Sequence, residues 1–147
     1  MSTATHAEDI SGSCAECFQA IADFESYPAW QSAVAAVEVR SRDEAGRGRE
    51  VAFVIDLKLR HVRYALIYEY TEPTEIRWTY AGGEIRDLSG SYSFRETGTA
   101  GIVQARYTLN LDVGFHVPAL VLRGLQREVM HRSVRELKAR VEARAEA

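Results

Sequence analysis

From Val34 to Val113 the apolar residues of this chain fall at every second position, and directly afterwards the spacing changes to that of one long helix. A period of two puts alternate side chains on opposite faces of a strand, so each strand carries one apolar face that must be hidden. Val51, Phe53, Ile55, Leu57 and Leu59 point one way, and Asp56, Lys58 and Arg60 the other. Tyr64, Leu66, Tyr68 and Tyr70 alternate with Arg63, Ala65, Ile67 and Glu69; Ile76, Trp78 and Tyr80 alternate with Arg77 and Thr79. Leu88, Gly90, Tyr92 and Phe94 follow, and then Val103, Ala105, Tyr107, Leu109, Leu111 and Val113 alternate with Gln104, Arg106, Thr108, Asn110 and Asp112. Turn residues at Asp43–Gly48, Arg60-His61, Pro73, Gly82-Gly83 and Gly98–Gly101 divide the run into an antiparallel meander, which begins with a strand at Val34–Arg42.

Residues 3–10 read as an edge strand, after which Ser13 and Glu16 have the spacing of a capping box. The helix they open carries Cys14, Cys17, Phe18, Ile21 and Ala22 on one face; a second short helix is expected around Phe24–Ala33, broken at Tyr27-Pro28 because proline disfavours helical geometry in the residue before it. A final helix is expected from Pro118, in its first turn, to Arg144. Leu122, Leu125, Val129, Leu137 and Val141 form its apolar stripe, with Arg127, Arg135 and Arg140 in water. The only long element able to cover the sheet is this helix, so the expected fold is α+β: a curved antiparallel sheet of about six or seven strands around a C-terminal helix, in one domain.

The inward set contains Tyr64, Tyr68, Trp78, Tyr80, Tyr92 and Tyr107. A buried hydroxyl without a partner costs about 1–3 kcal/mol, so a solid core favours Leu, Val and Ile; several inward hydroxyls imply an enclosed space holding water or a ligand. The expected ligand contacts are Phe53, Ile55, Tyr64, Leu66, Tyr68, Trp78, Tyr80, Tyr92, Tyr107, Leu109, Leu125 and Glu128. Gly124 fits either room for a ligand or close helix–sheet packing. Glu128, one turn on, is either a carboxylate facing the cavity, competent for acid/base work, or a surface partner of Arg132 at i+4. Asp87 is either an acid at the cavity mouth or half of a loop ion pair.

The other chemistry-bearing residues lack a motif. Cys14 and Cys17 form a C-x-x-C without a βαβ context or a second cysteine pair, and read as structural. His6, His61, His116 and His131 have no ligand spacing, and no nucleophile elbow, H-E-x-x-H, P-loop or dinucleotide-binding glycine motif is present. The sequence therefore implies no metal and no cofactor. The net charge of −3 argues against a nucleic-acid partner, and no apolar run is long enough for an integral membrane segment. The first residues lack a signal-peptide pattern, so the expected address is cytoplasmic.

The segment Asp23 to Trp30, which contains Tyr27-Pro28 and Trp30, the stretch Asp87 to Phe94, and a terminal helix after Gly114-Phe115-His116-Val117-Pro118 together resemble the polyketide cyclase/dehydrase and lipid-transport family of the START-like (SRPBCC) helix-grip superfamily. The resemblance covers nearly the whole chain. It implies a β-α-α-β6-α order, with a hydrophobic cavity closed by the last helix that accepts lipids, polyketides or similar molecules, and a structural role for Trp30. It transfers no catalytic residues, since such proteins range from carriers to aromatase/cyclases. The expected function is hydrophobic small-molecule binding or transport, with a polyketide cyclase/aromatase or dehydratase using a tyrosine, Glu128 or Asp87 as the alternative.

Overall fold

The computed structural model describes residues 2–58, 60–114 and 116–145. Leu59, expected to point inward, and Phe115, in the segment before the last helix, lie outside them. The elements run β1 (Ser2–Ser11), α1 (Cys14–Ala22), a 3-10 turn (Phe24–Ser26), α2 (Tyr27–Trp30), β2 (Val34–Arg42), β3 (Gly48–Asp56), β4 (His61–Thr71), β5 (Glu75–Gly83), β6 (Asp87–Glu96), β7 (Ile102–Asp112) and α3 (Ala119–Ala145). All strands join one antiparallel sheet in the order β1-β7-β6-β5-β4-β3-β2. β1 and β2 are consecutive yet stand at opposite edges, so the helical connection between them must cross the inner face.

Local chemistry sets the helix starts. Ser13 Oγ accepts from the Glu16 N–H at 3.1 Å and Glu16 Oε1 accepts from the Ser13 N–H at 3.0 Å, the reciprocal cap expected at the start of α1. Tyr27 was expected to be non-helical before proline. Instead it has helical dihedrals (φ −52°, ψ −44°) and opens α2, with Pro28 in the first turn where its missing N–H forfeits no helical bond. The break falls one residue earlier, where the 3-10 turn ends. Pro118 lies just outside α3, and its carbonyl accepts from the Leu122 N–H at 3.0 Å.

α3 packs mainly on β1 and then on β7 and α1, so it covers one side of the sheet; α1 covers β5 and β6, and α2 lies on β2. Its buried stripe is Gln126, Met130, Val134, Leu137 and Val141, whereas Leu122, Leu125 and Val129 flank it half-buried. The C-terminal half is fastened further by Lys138 Nζ donating to the Asp9 carbonyl at 2.9 Å and by Glu142 accepting the Ser11 N–H at 2.9 Å. At the other end Leu120 is 80% exposed and Val121 48%. Arg140, expected in water, is half-buried with its guanidinium 5.8 Å from the centre of the Trp30 ring, because the end of the helix lies against that indole. Among the described residues no helix is long and apolar enough to cross a membrane.

Two glycines shape the inner wall. A Cβ on Gly83 (φ +143°) would lie 2.5 Å from both the Arg63 carbonyl oxygen and Tyr64 Cα, so only glycine allows β5 to close on β4 there. A Cβ on Gly90 would lie 2.3 Å from the Thr108 carbonyl oxygen and 2.9 Å from Trp78 Cζ2. The indole of Trp78 occupies the room that this missing side chain leaves.

Candidate functional site: an uncharged aromatic cavity

Between the sheet, the α1–α2 segment and α3 lies a cavity of about 120 Å³. Ten of the twelve expected contacts line it: Phe53, Ile55, Tyr64, Leu66, Tyr68, Trp78, Tyr92, Tyr107, Leu109 and Leu125. β3, β4, β5, β6 and β7 supply the first nine through the period-two alternation, and Leu125 comes from α3. The rings pack edge-on or tilted, with centroid separations of 4.6 Å for Tyr92–Tyr107, 5.6 Å for Trp78–Tyr107 and 5.8 Å for Tyr68–Trp78.

Two expected contacts are elsewhere. Tyr80 is half-buried outside the cavity, its hydroxyl donating to the Ile85 carbonyl at 2.5 Å. Glu128 is exposed on the outer face of α3, where it accepts from Lys58 Nζ and, at 2.6 Å, from Arg132. Those hydrogen bonds hold its carboxyl below the usual range, the reverse of a desolvated acid. The helical register turns position 128 away from the sheet because Gln126 and Met130 occupy the buried stripe. Gly124 likewise faces open space, and a Cβ there meets nothing within 4 Å, so neither cavity room nor tight packing accounts for it. Asp87 does not line the cavity.

The structure adds contacts that the strand pattern did not identify. Ile21 and Tyr27 enter from the helical crossing, and Gln31, Gln126 and Ser133 bring polar groups. Most of these are internally engaged. Tyr27 Oη donates to the Ile21 carbonyl, and Tyr92 Oη and Ser133 Oγ share a hydrogen bond of 2.6 Å. Gln31 Nε2 donates to the Ser133 carbonyl at 3.2 Å, and Gln126 Nε2 to the Leu109 carbonyl at 2.8 Å. The hydroxyls of Tyr64, Tyr68 and Tyr107 have no protein partner among the described residues.

No lining residue among those described carries an ionisable carboxyl, imidazole, ammonium or guanidinium group. Burial raises the hydroxyl pKa of Tyr27, Tyr64, Tyr68, Tyr92 and Tyr107 above the ordinary phenol value, and neighbouring tyrosines push all but Tyr107 further the same way. These phenols keep their protons throughout the physiological range. The arrangement can therefore surround an apolar body and offer neutral hydrogen bonds.

The remaining candidate residues have local roles. Cys17 is fully buried and its thiol is pushed up to about 12 by burial, then by Cys14 and Glu16; Cys14 is half-buried and also raised. His6 and His131, far apart in sequence, stack at 3.7 Å between β1 and α3, with Glu8 Oε2 2.9 Å from His6 Nε2. Trp30 is half-buried behind the cavity, with its ring 5.5 Å from that of Tyr27, so it supports a lining residue without touching the enclosed space.

Comparison with known proteins adds the family and the fold. A family described as polyketide cyclase / dehydrase and lipid transport matches residues 1–142. A START superfamily protein from Mycobacterium smegmatis is 18% identical and superposes with a TM-score of 0.87, over 96% of this chain and 97% of that one. The Zhui aromatase/cyclase from Streptomyces sp. R1128 is 12% identical with a TM-score of 0.85, over 98% and 95% of the two chains. The di-domain aromatase/cyclase StfQ from the steffimycin biosynthetic pathway is 16% identical with a TM-score of 0.73, over 97% of this chain and 46% of that one. At these identities the likeness establishes the helix-grip fold. No curated protein matches the sequence.

Proposed function

We propose, for a chain that belongs to the polyketide cyclase/dehydrase and lipid transport family, that it binds a hydrophobic small molecule between the sheet and α3. The observation that carries this reading is a cavity walled by aromatic and aliphatic side chains, with hydroxyls but no charge. Size bounds the occupant. An apolar protein cavity of about 150 Å³ holds benzene, and this one, at about 120 Å³, is somewhat smaller as it stands. A lipid or polyketide chain requires its wall to move. Native mass spectrometry of gently purified protein tests the reading, together with titration of tryptophan emission by small aromatic and aliphatic compounds. Co-purifying ligand and a saturable response from Trp78 are expected. An emission spectrum indifferent to every compound, in protein carrying no ligand, would reject it.

The family also supports a second reading, a cyclase/aromatase or dehydratase. Neither Glu128 nor Asp87 lines the cavity, so in that reading the tyrosines act while still protonated, by hydrogen-bonding a carbonyl oxygen as it gains negative charge. Turnover of a poly-β-carbonyl substrate by wild type, lost on Tyr64→Phe, Tyr68→Phe or Tyr107→Phe, would favour it over the carrier.

A further inference from the structure

Three hydroxyls enter the cavity with no protein acceptor: Tyr64 and Tyr68 from β4 and Tyr107 from β7. Their neighbours behave differently. Tyr27, Tyr92, Gln31 and Ser133, which line the same space, are joined in hydrogen bonds within the protein. None of the three oxygens is shut off from the cavity space, so each keeps its hydrogen-bonding capacity for whatever occupies it, whereas phenylalanine would fill the same ring volume and offer none. Tyr68 is buried, and Tyr64 and Tyr107 keep part of their surface open because they border the cavity.

We infer that these hydroxyls form a hydrogen-bond donor subsite for an uncharged acceptor oxygen, so that the ligand is an apolar molecule bearing a carbonyl or similar oxygen, oriented with that oxygen toward β4 and β7. This rests on the binding reading above and narrows it to a ligand class. The direction of donation follows from phenol chemistry. The ring withdraws the oxygen lone pairs, and a protonated phenol gives its hydrogen more readily than it accepts one. The phenols are also held protonated by burial, and mutual proximity opposes ionisation of Tyr68 and Tyr64 further. Neutrality follows from the lining, since no described lining residue is cationic and a carboxylate moved into such a space without a cation loses far more hydration than neutral donors return.

The test uses three probes of nearly one shape: acetophenone, which carries a ketone; α-methylstyrene, in which a methylene replaces the ketone oxygen; and benzoate, which carries a charge. Each is titrated calorimetrically into wild type and into the triple variant Tyr64→Phe, Tyr68→Phe, Tyr107→Phe. The ratio of acetophenone to α-methylstyrene affinity is the readout, because packing changes that affect both probes cancel in it. We expect the ratio to fall about tenfold in the triple variant, as the loss of one to two hydrogen bonds implies, and benzoate not to bind wild type. A ratio unchanged within twofold, or benzoate binding as tightly as acetophenone, overturns the donor subsite while leaving the cavity reading intact. If neither neutral probe binds wild type, the cavity reading falls and the subsite with it. Should the triple variant not fold, the single replacements decide, with the ratio expected to fall about threefold in at least one and the proposal rejected if it holds in all three.

Discussion

Replacing Gly90 with alanine tests the packing of the inner wall most directly. Gly90 lies in β6 opposite Trp78 of β5 and Leu109 of β7. The added methyl would meet the Thr108 carbonyl oxygen at 2.3 Å and Trp78 Cζ2 and Cε2 at 2.9 and 3.0 Å. Carbon atoms normally approach no closer than about 3.5 Å. The backbone oxygen is fixed by the sheet and cannot yield cheaply, so Trp78 must move toward the cavity and β6 must part slightly from β7. Overpacking of this kind costs about 1–3 kcal/mol, and in a domain of this length each kcal/mol shifts the melting midpoint by about 2–4 °C. Gly90→Ala should therefore melt about 2–12 °C below wild type, with altered near-ultraviolet dichroism from Trp78 and weaker binding of α-methylstyrene. Gly124→Ala is the matched control. That helical position faces open space, and alanine there should stabilise by up to about 1 kcal/mol. Circular dichroism melts of the two variants should thus diverge in sign. A Gly90→Ala midpoint within about 1 °C of wild type, with unchanged tryptophan signals, would refute the contact on which the wall is built.

Other outcomes are equally specific. Tyr92→Phe, Ser133→Ala and their combination, measured by urea denaturation, should yield a coupling energy of about 1 kcal/mol for the 2.6 Å bond joining β6 to α3; additivity of the two losses would show the bond contributes nothing. Cys17, buried with its thiol at about 12, should resist a thiol reagent in the native state while Cys14 reacts first, and comparable rates by mass spectrometry would contradict that assignment. His131 has its pKa lowered by burial, then by His6 and Arg135, with Glu8 opposing and Arg127 adding to the effect. The folded state disfavours the imidazolium, so stability is complete above the unfolded-state histidine pKa and declines as pH falls through it toward the folded value. His131→Gln should flatten this decline between neutrality and the carboxylate range, and an unaltered slope would sink the assignment.

Strand identity was legible because burial on one face leaves a strict alternation, and that alternation carried nine strand residues into the cavity lining. Tyr80 obeys the same pattern yet misses the cavity, since its hydroxyl bends back to the Ile85 carbonyl beyond the end of the strand. Positions on α3 were harder to read. A stripe drawn through Leu122, Leu125 and Val129 places Glu128 at its margin, whereas the stripe through Gln126, Met130, Val134, Leu137 and Val141 has the same spacing and turns Glu128 outward. A polar Gln126 obscured it, although its continuation at i+4 and i+8 by Met130 and Val134 was a usable signal. The His6–His131 stack and the Ile21 and Tyr27 contacts depend on how the helical crossing and the last helix settle over the sheet, which periodicity within one element does not encode.

The last helix is mounted as a cantilever. Its root is clamped by Leu137 and Val141 inside the core and by two side-chain ties to β1, while Leu120 and Val121 at its tip are open to solvent. Stiffness along such a beam is graded, so amide exchange should quicken steadily from the residues near 137 toward those near 120. Leu125 and Val129, which the cavity borrows from this beam, lie between tip and root, beside Gln126, whose amide is held by the Leu109 carbonyl. The aromatic side is embedded in the sheet, so room for a bulkier guest should come from the tip of the helix, and exchange there should change when such a guest is added.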